Sequence, residues 1–151
     1  MSVTQKEVFL PMHILIIDGQ SGRMGAQLIE GLKKADLNQQ HVLTAVGTNA
    51  LATSAMLKAG ADQAATGENA VLVQCRKADI IAGPLGIVLA DALLGEITPN
   101  MAVAVGQSNA CRVLVPISQC HSTVAGTGNM TRAQLIDEAV AQIIKLCNEN
   151  G

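Results

Sequence analysis

A chain of 151 residues suits one domain and leaves little room for two. Hydrophobic residues make up 49% of the chain and charged residues only 15%, with a formal net charge of −2, so the chain is not disordered and no nucleic-acid binding is expected. Phe9 is the one aromatic residue in the sequence, which excludes both an aromatic platform for stacking bases and a catalytic tyrosine.

The first eleven residues contain charges and a proline but no long apolar run, so they resemble neither a signal peptide nor a membrane span. We predict that residues 1–11 are an N-terminal extension and residues 12–151 a single domain. The four cysteines form no C-x-x-C pair, which excludes a zinc ribbon and indicates free thiols in the cytoplasm. Abundant small apolar residues with little charge favour a homo-oligomer, and a compact Ala-rich monomer is the alternative.

Short apolar runs alternate with helical patterns along the chain, which predicts a three-layer, Rossmann-like α/β fold: a mostly parallel sheet with helices on both faces. The predicted strands are Met12–Ile17, His41–Val46, Gln63–Ala65, Asp79–Ala82, Arg112–Ile117 and, less regular, Ser122–Ala125. The predicted helices are Ala26–Lys34, Ala50–Ala59, Glu68–Lys77, Ile87–Leu94, Asn100–Val105 after the Thr98 cap, and a final helix from the Thr131 cap to about Asn148.

A glycine-rich loop follows the first predicted strand and leads into a helix. Its glycines have the spacing G-x-x-G-x-x-G, and no Gly-Lys-Ser/Thr follows, so the loop is not a P-loop. The helix N-terminus offers free amides and a positive dipole end to a phosphate. The loop residues predicted to bind a nucleotide phosphate are Gly19, Gln20, Ser21, Gly22, Arg23 and Met24. A tight turn that needs its glycines only for packing is the alternative.

The loop Gly19–Gly25 resembles the G-x-x-G-R-M-G loop of dihydrodipicolinate reductases, which bind NAD(P)H. Gly126-Thr127-Gly128 is similar to a second turn of those enzymes. The resemblance makes NAD(P) or another nucleotide the candidate cofactor. It does not extend to the activity, because the histidine-rich catalytic segment and the substrate domain of those enzymes are missing here.

From Met12 onward the chain is similar to a small, functionally uncharacterised family of bacterial proteins. The strings that carry the resemblance include Ile17-Asp18-Gly19-Gln20, Gly47-Thr48-Asn49-Ala50, Ala65-Thr66-Gly67-Glu68-Asn69-Ala70, Gly83-Pro84-Leu85-Gly86-Ile87 and the long run from Ala52 to Asp62. The resemblance implies a small Rossmann-like fold. It implies no activity and no catalytic residues.

Two features of the residues in and around the loop are unusual for a dinucleotide site. Rossmann domains usually carry Asp or Glu after the second strand to bind ribose hydroxyls, whereas this chain has the uncharged Thr48 and Asn49. We expect Thr48 and Asn49 to bind the ribose or to leave room for a 2′-phosphate beside Arg23. Asp18 would repel a phosphate, so it is expected to bind a metal ion or to cap the loop amides.

Small polar residues also follow other predicted strands, where ligands bind in doubly wound sheets. Gly83, Pro84 and Gly86 form a candidate cradle for a second part of the ligand, or a plain turn. We also predict that Gly106–Asn109 lies at the edge of the sheet where the carboxyl ends of the strands meet. Glu68 is a candidate general base, or a residue that favours a helix N-terminus. Cys120 next to His121 is a candidate thiolate or metal ligand, although neighbouring residues of a strand face opposite sides.

Three functions are consistent with these patterns. The first is a nucleotide- or dinucleotide-binding protein that acts as a sensor or accessory subunit. The second is a small oligomeric NAD(P)-linked enzyme whose site is completed across an interface. The third is a structural or assembly protein without a ligand. An ordinary NAD dehydrogenase is not expected, because the chain is too short for a substrate domain.

Overall fold

The computed structural model describes residues 10–117 and 121–149, apart from the side chains of Asn38 and Gln39. The strands are β1 (His13–Asp18), β2 (Val42–Gly47), β3 (Gln63–Thr66), β4 (Ile80–Pro84) and β5 (Cys111–Val115). The helices are α1 (Arg23–Lys34), α2 (Leu37–Gln40), α3 (Ala50–Ala59), α4 (Glu68–Lys77), α5 (Pro99–Gln107) and α6 (Arg132–Glu149), with a 3-10 helix at Leu85–Val88. Most of the predicted N-terminal extension, residues 1–9, lies outside the described residues.

The five strands form one parallel sheet in the order β3-β2-β1-β4-β5. β1 lies at its centre, with Asp18 opposite Gly47 of β2 and Ile16 opposite Ala82 of β4. Along the chain, β2 and β3 are added on one side of β1, and β4 and β5 on the other side. This is the doubly wound arrangement. The predicted fold class is therefore confirmed.

Alternate residues of β1 enter two separate hydrophobic cores, because successive side chains of a strand point to opposite faces. Ile14 and Ile16 pack with residues of α1, α3 and α6 on one face. Leu15 and Ile17 pack with residues of α4 and α5 on the other face. A strand covered on both faces reads as an unbroken apolar run, which explains the sequence of β1.

Two predicted elements are wrong. The helix predicted at Ile87–Leu94 is replaced by the short 3-10 helix and a series of turns. Asp91, Leu93 and Leu94 have φ values of 66°, 55° and 56°, and a left-handed backbone cannot continue a right-handed helix. No strand forms at Ser122–Ala125 in the described part of the chain, because the backbone turns there, at Ala125 and Gly126, and the φ of Gly126 is 89°.

Gly106–Asn109 lies at the other edge of the sheet from the one predicted. Gly106 and Gln107 end α5, and Ser108 and Asn109 lead into the start of β5, so the group sits at the amino edge. A helix that returns antiparallel to the strands ends where the next strand begins. No helix of the described residues is both long enough and apolar enough to cross a membrane.

Candidate functional site

The loop between β1 and α1 is closed by its own hydrogen bonds. The amide of Gly22 donates to the carbonyl oxygen of Gly19 (2.9 Å), and Gln20 and Gly22 have left-handed backbones with φ of 51° and 72°. The buried carboxylate of Asp18 accepts the amide of Gly19 through Oδ1 and that of Gly25 through Oδ2, both at 2.8 Å. Asp18 therefore caps loop amides, which is one of the two roles predicted for it.

Burial raises the pKa of the Asp18 carboxyl above its ordinary value of 3.8. The hydrogen bonds from Gly25 and Gly19 oppose that shift, and so does the positive charge of Arg132, while the negative charge of Glu96 adds to it. The loop therefore already binds the carboxylate of Asp18, and the negative charge of Glu96 lies close enough to affect it.

Gly22 and Gly25 serve packing in the closed loop. A Cβ on Gly22 would lie 2.6 Å from the Cα of Ala52, so the loop backbone rests directly on the start of α3. A Cβ on Gly25 would collide with the Met56 side chain and approach the Cβ of Asp18 to 3.0 Å. The two glycines therefore allow α1 to approach both α3 and the end of β1.

Glu96 was not predicted from the sequence, yet its carboxylate lies against the glycine loop. Its Oε2 accepts the amide of Gln20 (2.6 Å) and its Oε1 accepts the side-chain amide of Asn49 (2.7 Å). The Asn49 side chain also donates to the carbonyl oxygen of Gln20 (3.0 Å). The acidic residue that β2 lacks at its carboxyl end is thus supplied by another segment, 76 residues from Gln20 along the chain.

Thr48 and Asn49 lie beside the loop, as predicted for residues after the second strand. Asn49 caps α3 by accepting the amide of Ala52 (2.9 Å). The amide of Thr48 donates to the carbonyl oxygen of Asp18 (3.1 Å). The buried Thr48 hydroxyl has no hydrogen-bond partner within the described residues. Both residues therefore help to connect the loop to β2 and α3.

A crevice of about 200 Å³ opens at the carboxyl edge, between β1 and β4, where the strand order reverses. It is lined by the loop residues Asp18, Gly19, Gln20, Ser21, Arg23 and Met24, together with Pro84, Leu93, Ile117 and Arg132. Ligands of doubly wound sheets bind at this place. Five of the six loop residues predicted to bind phosphate therefore line one cavity, while Gly22 faces α3.

Two arginines reach this crevice from different elements. Arg23 is the first residue of α1, and Arg132 is the first residue of α6. Thr131 fixes the start of α6, because its hydroxyl accepts the amide of Gln134 and its own amide donates to the Gln134 side chain. Neither guanidinium forms a hydrogen bond or a close ion pair among the described residues, and the charge of Arg132 acts on Asp18 only from a distance, so both can bind an anion.

The first turn of α1 also presents backbone donors to the crevice. The amides of Arg23 and Met24 have no acceptor in the described part of the chain, and the residue before the helix, Gly22, provides no side-chain cap. Unpaired amides and the helix dipole together favour an anion at such a position. The oxygens of Asp18 are engaged by the amides of Gly19 and Gly25, and those of Glu96 by Gln20 and Asn49, so both carboxylates at the loop are already hydrogen-bonded.

Gly83, Pro84 and Gly86 were predicted to follow the fourth strand, but β4 extends through Pro84, and of the three only Pro84 lines the crevice. A Cβ on Gly83 would collide with the carbonyl oxygen of Ile17, so this glycine allows β4 to approach β1. Gly86 is buried, and a Cβ there would lie 3.3 Å from the Cβ of Ala92. The structure thus brings Pro84 to the site and places Gly83 and Gly86 beneath it.

Glu68 does not reach the crevice. It is the first residue of α4, and its carboxylate accepts the hydroxyl of Thr98, which in turn caps α5 by accepting the amide of Met101 (3.1 Å). The hydrogen bond between Thr98 and Glu68 joins the N-termini of α4 and α5. Cys120, the candidate thiolate or metal ligand next to His121, lies outside the described residues.

A larger groove of about 540 Å³ runs between α4 and α5, along the length of α5 to the opposite, amino edge of the sheet. Its walls combine apolar and amide side chains with one charged group, that of Arg76, and include Gln107, Ser108 and Asn109. Size alone would favour this groove as a ligand site. We favour the smaller crevice because only there do two unpaired cations and free helix amides converge.

Sequence comparison assigns the chain to a family without assigning it an activity. No curated protein and no solved structure matches the chain. One family model, described as a domain of unknown function (DUF3842), matches residues 13–148, which contain every strand of the sheet and every residue that lines the crevice. The chain therefore belongs to the DUF3842 family.

Proposed function

We propose that this chain is a cytoplasmic bacterial protein that binds a nucleotide-type ligand through a phosphate group and acts as a sensor or accessory subunit. The observation that carries the proposal is the convergence of Arg23 and Arg132 on the crevice between β1 and β4. The unpaired amides of Arg23 and Met24 complete an anion site there. Planar guanidinium groups bind phosphate oxygens through paired, charge-assisted hydrogen bonds.

The arrangement supports binding more directly than catalysis. The crevice carboxylate, Asp18, has both oxygens engaged by backbone amides, so it is poorly placed to accept a proton from a substrate. Glu68, the candidate general base, instead bonds to Thr98 on another part of the molecule. The groups that remain available in the crevice are donors and cations, which bind anions.

Thermal unfolding in the presence of a ligand panel tests the proposal. The panel contains AMP, ATP, GTP, NAD(H), NADP(H), flavins and S-adenosylmethionine. A ligand at a hundredfold excess over its Kd stabilises the native state by about 2.7 kcal/mol, which raises Tm measurably. If no phosphate-containing compound shifts Tm, the proposal is wrong.

Arginine variants then locate the site. Arg23→Gln and Arg132→Gln each remove one charge-assisted contact to phosphate, so each is expected to weaken binding by about 10- to 100-fold. Arg76→Gln is the matched control, because it removes the same charge at the opposite edge of the sheet. Binding that survives both crevice variants, or that falls equally in the control, would place the ligand elsewhere.

A further inference from the structure

The segment that follows the 3-10 helix, residues 89–97, crosses from the β4 side of the sheet to β2. Glu96 reaches furthest, with one carboxylate oxygen on the Gln20 amide and the other on the Asn49 side chain. Leu93 is only 3% exposed, whereas its neighbour Leu94 is 89% exposed. The segment therefore covers part of the carboxyl edge with one buried side chain and one bound carboxylate.

The covered part corresponds to the nucleoside half of a dinucleotide site. In doubly wound folds the pyrophosphate lies at the start of the first helix, and the attached ribose lies over the end of the second strand. Here Glu96 binds Asn49 at the end of β2 and a backbone amide of the glycine loop. An anionic group of the protein itself is therefore bound where that half of a dinucleotide would enter.

Little space remains above the first glycine of the loop. A Cβ on Gly19 would lie 2.9 Å from Glu96 Oε2, 2.9 Å from Leu93 Cδ1 and 2.7 Å from Thr48 Oγ1. The open volume lies on the other side, over β1 and β4 and next to Ile117 after β5. Its 200 Å³ is less than the roughly 300–1,000 Å³ of most ligand pockets.

We propose that Glu96 determines the ligand class of this site: with Glu96 in place, the crevice accepts a compact phosphate monoester and excludes dinucleotides. This inference rests on the proposed function, because it takes the phosphate to lie at Arg23 and Arg132. The carboxylate excludes a dinucleotide in two ways. It fills the space over β1 and β2, and its charge repels a second phosphate from the Gln20 amide.

The 89–97 segment has a backbone that only specific contacts can hold. Asp91, Leu93 and Leu94 all adopt the left-handed conformation, which is unfavourable for non-glycine residues. Hydrogen bonds from Gly95 to Asp91 (3.1 Å) and from Glu96 to Leu93 (3.1 Å) stabilise the turns. Such local strain is found where the surrounding structure fixes a conformation for function, and here it delivers Glu96 to the loop.

Two-dimensional amide NMR with inorganic phosphate as the probe separates the two proposals. In the wild type we expect phosphate to shift the amide signals of Arg23 and Met24 and to leave Gln20 unchanged, because Glu96 already occupies that donor. In Glu96→Ala the Gln20 amide should respond as well. Glu96→Ser also removes the carboxylate and is too short to reach the Gln20 amide, so it should respond as well, and the result does not depend on one variant folding.

Glu30→Ala is the matched control, because it removes a carboxylate from an exposed position of α1 away from the crevice. A Gln20 response in the wild type, no response in either Glu96 variant, or an equal response in the control would overturn the role of Glu96. Absence of shifts at Arg23 and Met24 in the wild type would instead overturn the proposed function, and the Gln20 signal would still decide whether Glu96 blocks an anion site.

Competition between AMP and NADH tests the ligand class itself. The wild type is expected to bind AMP in preference to NADH, and Glu96→Ala should raise the ratio of NADH affinity to AMP affinity at least tenfold. Tight NADH binding by the wild type, or an unchanged preference in Glu96→Ala, would show that residues 89–97 do not select the ligand.

Discussion

The carboxylate of Asp18 and the amide of Gly25, seven residues apart in the chain, are joined by a 2.8 Å hydrogen bond that closes the loop between β1 and α1. The other carboxylate oxygen accepts the amide of Gly19 at the same distance. One buried carboxyl group, shielded from water, thus holds both ends of the loop. The stability of the loop should therefore depend on pH.

Asp18→Asn is expected to alter this pH dependence. Burial raises the pKa of Asp18 above 3.8, so the folded protein binds a proton more readily than the unfolded chain does. The contribution of Asp18 to stability is therefore full at pH below 3.8 and declines as pH rises through the raised pKa. The asparagine variant lacks this titration. In urea unfolding at several pH values, the difference in unfolding free energy between wild type and variant should fall with rising pH.

The opposite slope in that difference would mean that the hydrogen bonds from Gly19 and Gly25 outweigh burial, and that the pKa of Asp18 is lowered. Asp62→Asn is the control, because Asp62 is exposed and its carboxylate accepts a single amide, that of Leu43 (2.8 Å). The Asp62 variant should not reproduce the trend.

Gly22 and Gly106 should respond in opposite ways to alanine. Gly22 has a φ of 72° and would place its Cβ 2.6 Å from the Ala52 backbone, so Gly22→Ala should lower the unfolding free energy by about 1–3 kcal/mol or more. Gly106 is exposed, lies within α5 and has open space around its Cβ position, so Gly106→Ala should raise stability by up to about 1 kcal/mol. Urea unfolding of both variants measures the contrast.

This contrast also bears on how the ligand site is tested. If Gly22→Ala were as stable as the wild type, the close contact of the loop with α3 would be wrong. If it is destabilised as expected, a loss of binding in that variant would report damage to the loop rather than to a ligand contact. Substitutions of exposed Arg23 and Arg132 avoid this ambiguity.

The sequence was sufficient to predict the sheet and the loop, because both depend on local patterns. An apolar run followed by spaced glycines and an amphipathic helix identified β1, the loop and α1. The caps at Thr98 and Thr131 were also predicted, and both are confirmed by hydrogen bonds to the helix amides. Such signals lie within a few residues of the elements that they define.

The rest of the site could not be predicted, because it depends on contacts between distant segments. Glu96 meets Gln20 across 76 residues, and Arg132 reaches the crevice only because α6 returns to the face of α1. The run Ile87–Leu94 has helix-forming residues, yet burial of Leu93 and the bonds of Glu96 hold it in left-handed turns. Tertiary contacts outweighed local propensity there.

Two threonines near β2 provide a matched pair. The Thr48 hydroxyl is buried without a partner in the described part of the chain, whereas that of Thr53 donates to the Asn49 carbonyl (3.0 Å) and bonds to the Thr66 hydroxyl (2.6 Å). Thr48→Val should leave stability unchanged or raise it by up to about 1 kcal/mol, and Thr53→Val should lower it by about 1 kcal/mol. Thermal unfolding measures both, and equal losses would contradict the contact pattern.

His41 should make the protein less stable in acid. Its ring is buried, and Nδ1 accepts the amide of Met12 (3.0 Å) just before β1. Burial lowers the pKa of His41 below 6.5, so the folded protein resists protonation. Its contribution to stability is therefore full above about pH 6.5 and is lost as pH falls through the lowered pKa. A protonated ring cannot accept the Met12 amide, and an unpaired buried donor costs about 1–3 kcal/mol.

His41→Asn tests this directly, because the Asn oxygen can accept the Met12 amide but does not titrate in this range. Urea unfolding at pH 7.5 and pH 5.0 should show a smaller loss of stability for the variant than for the wild type, even if its smaller side chain lowers stability at both values. His13→Asn is the control, since His13 is exposed at the start of β1. If the control abolishes the acid sensitivity and His41→Asn preserves it, the buried ring is not the group that titrates.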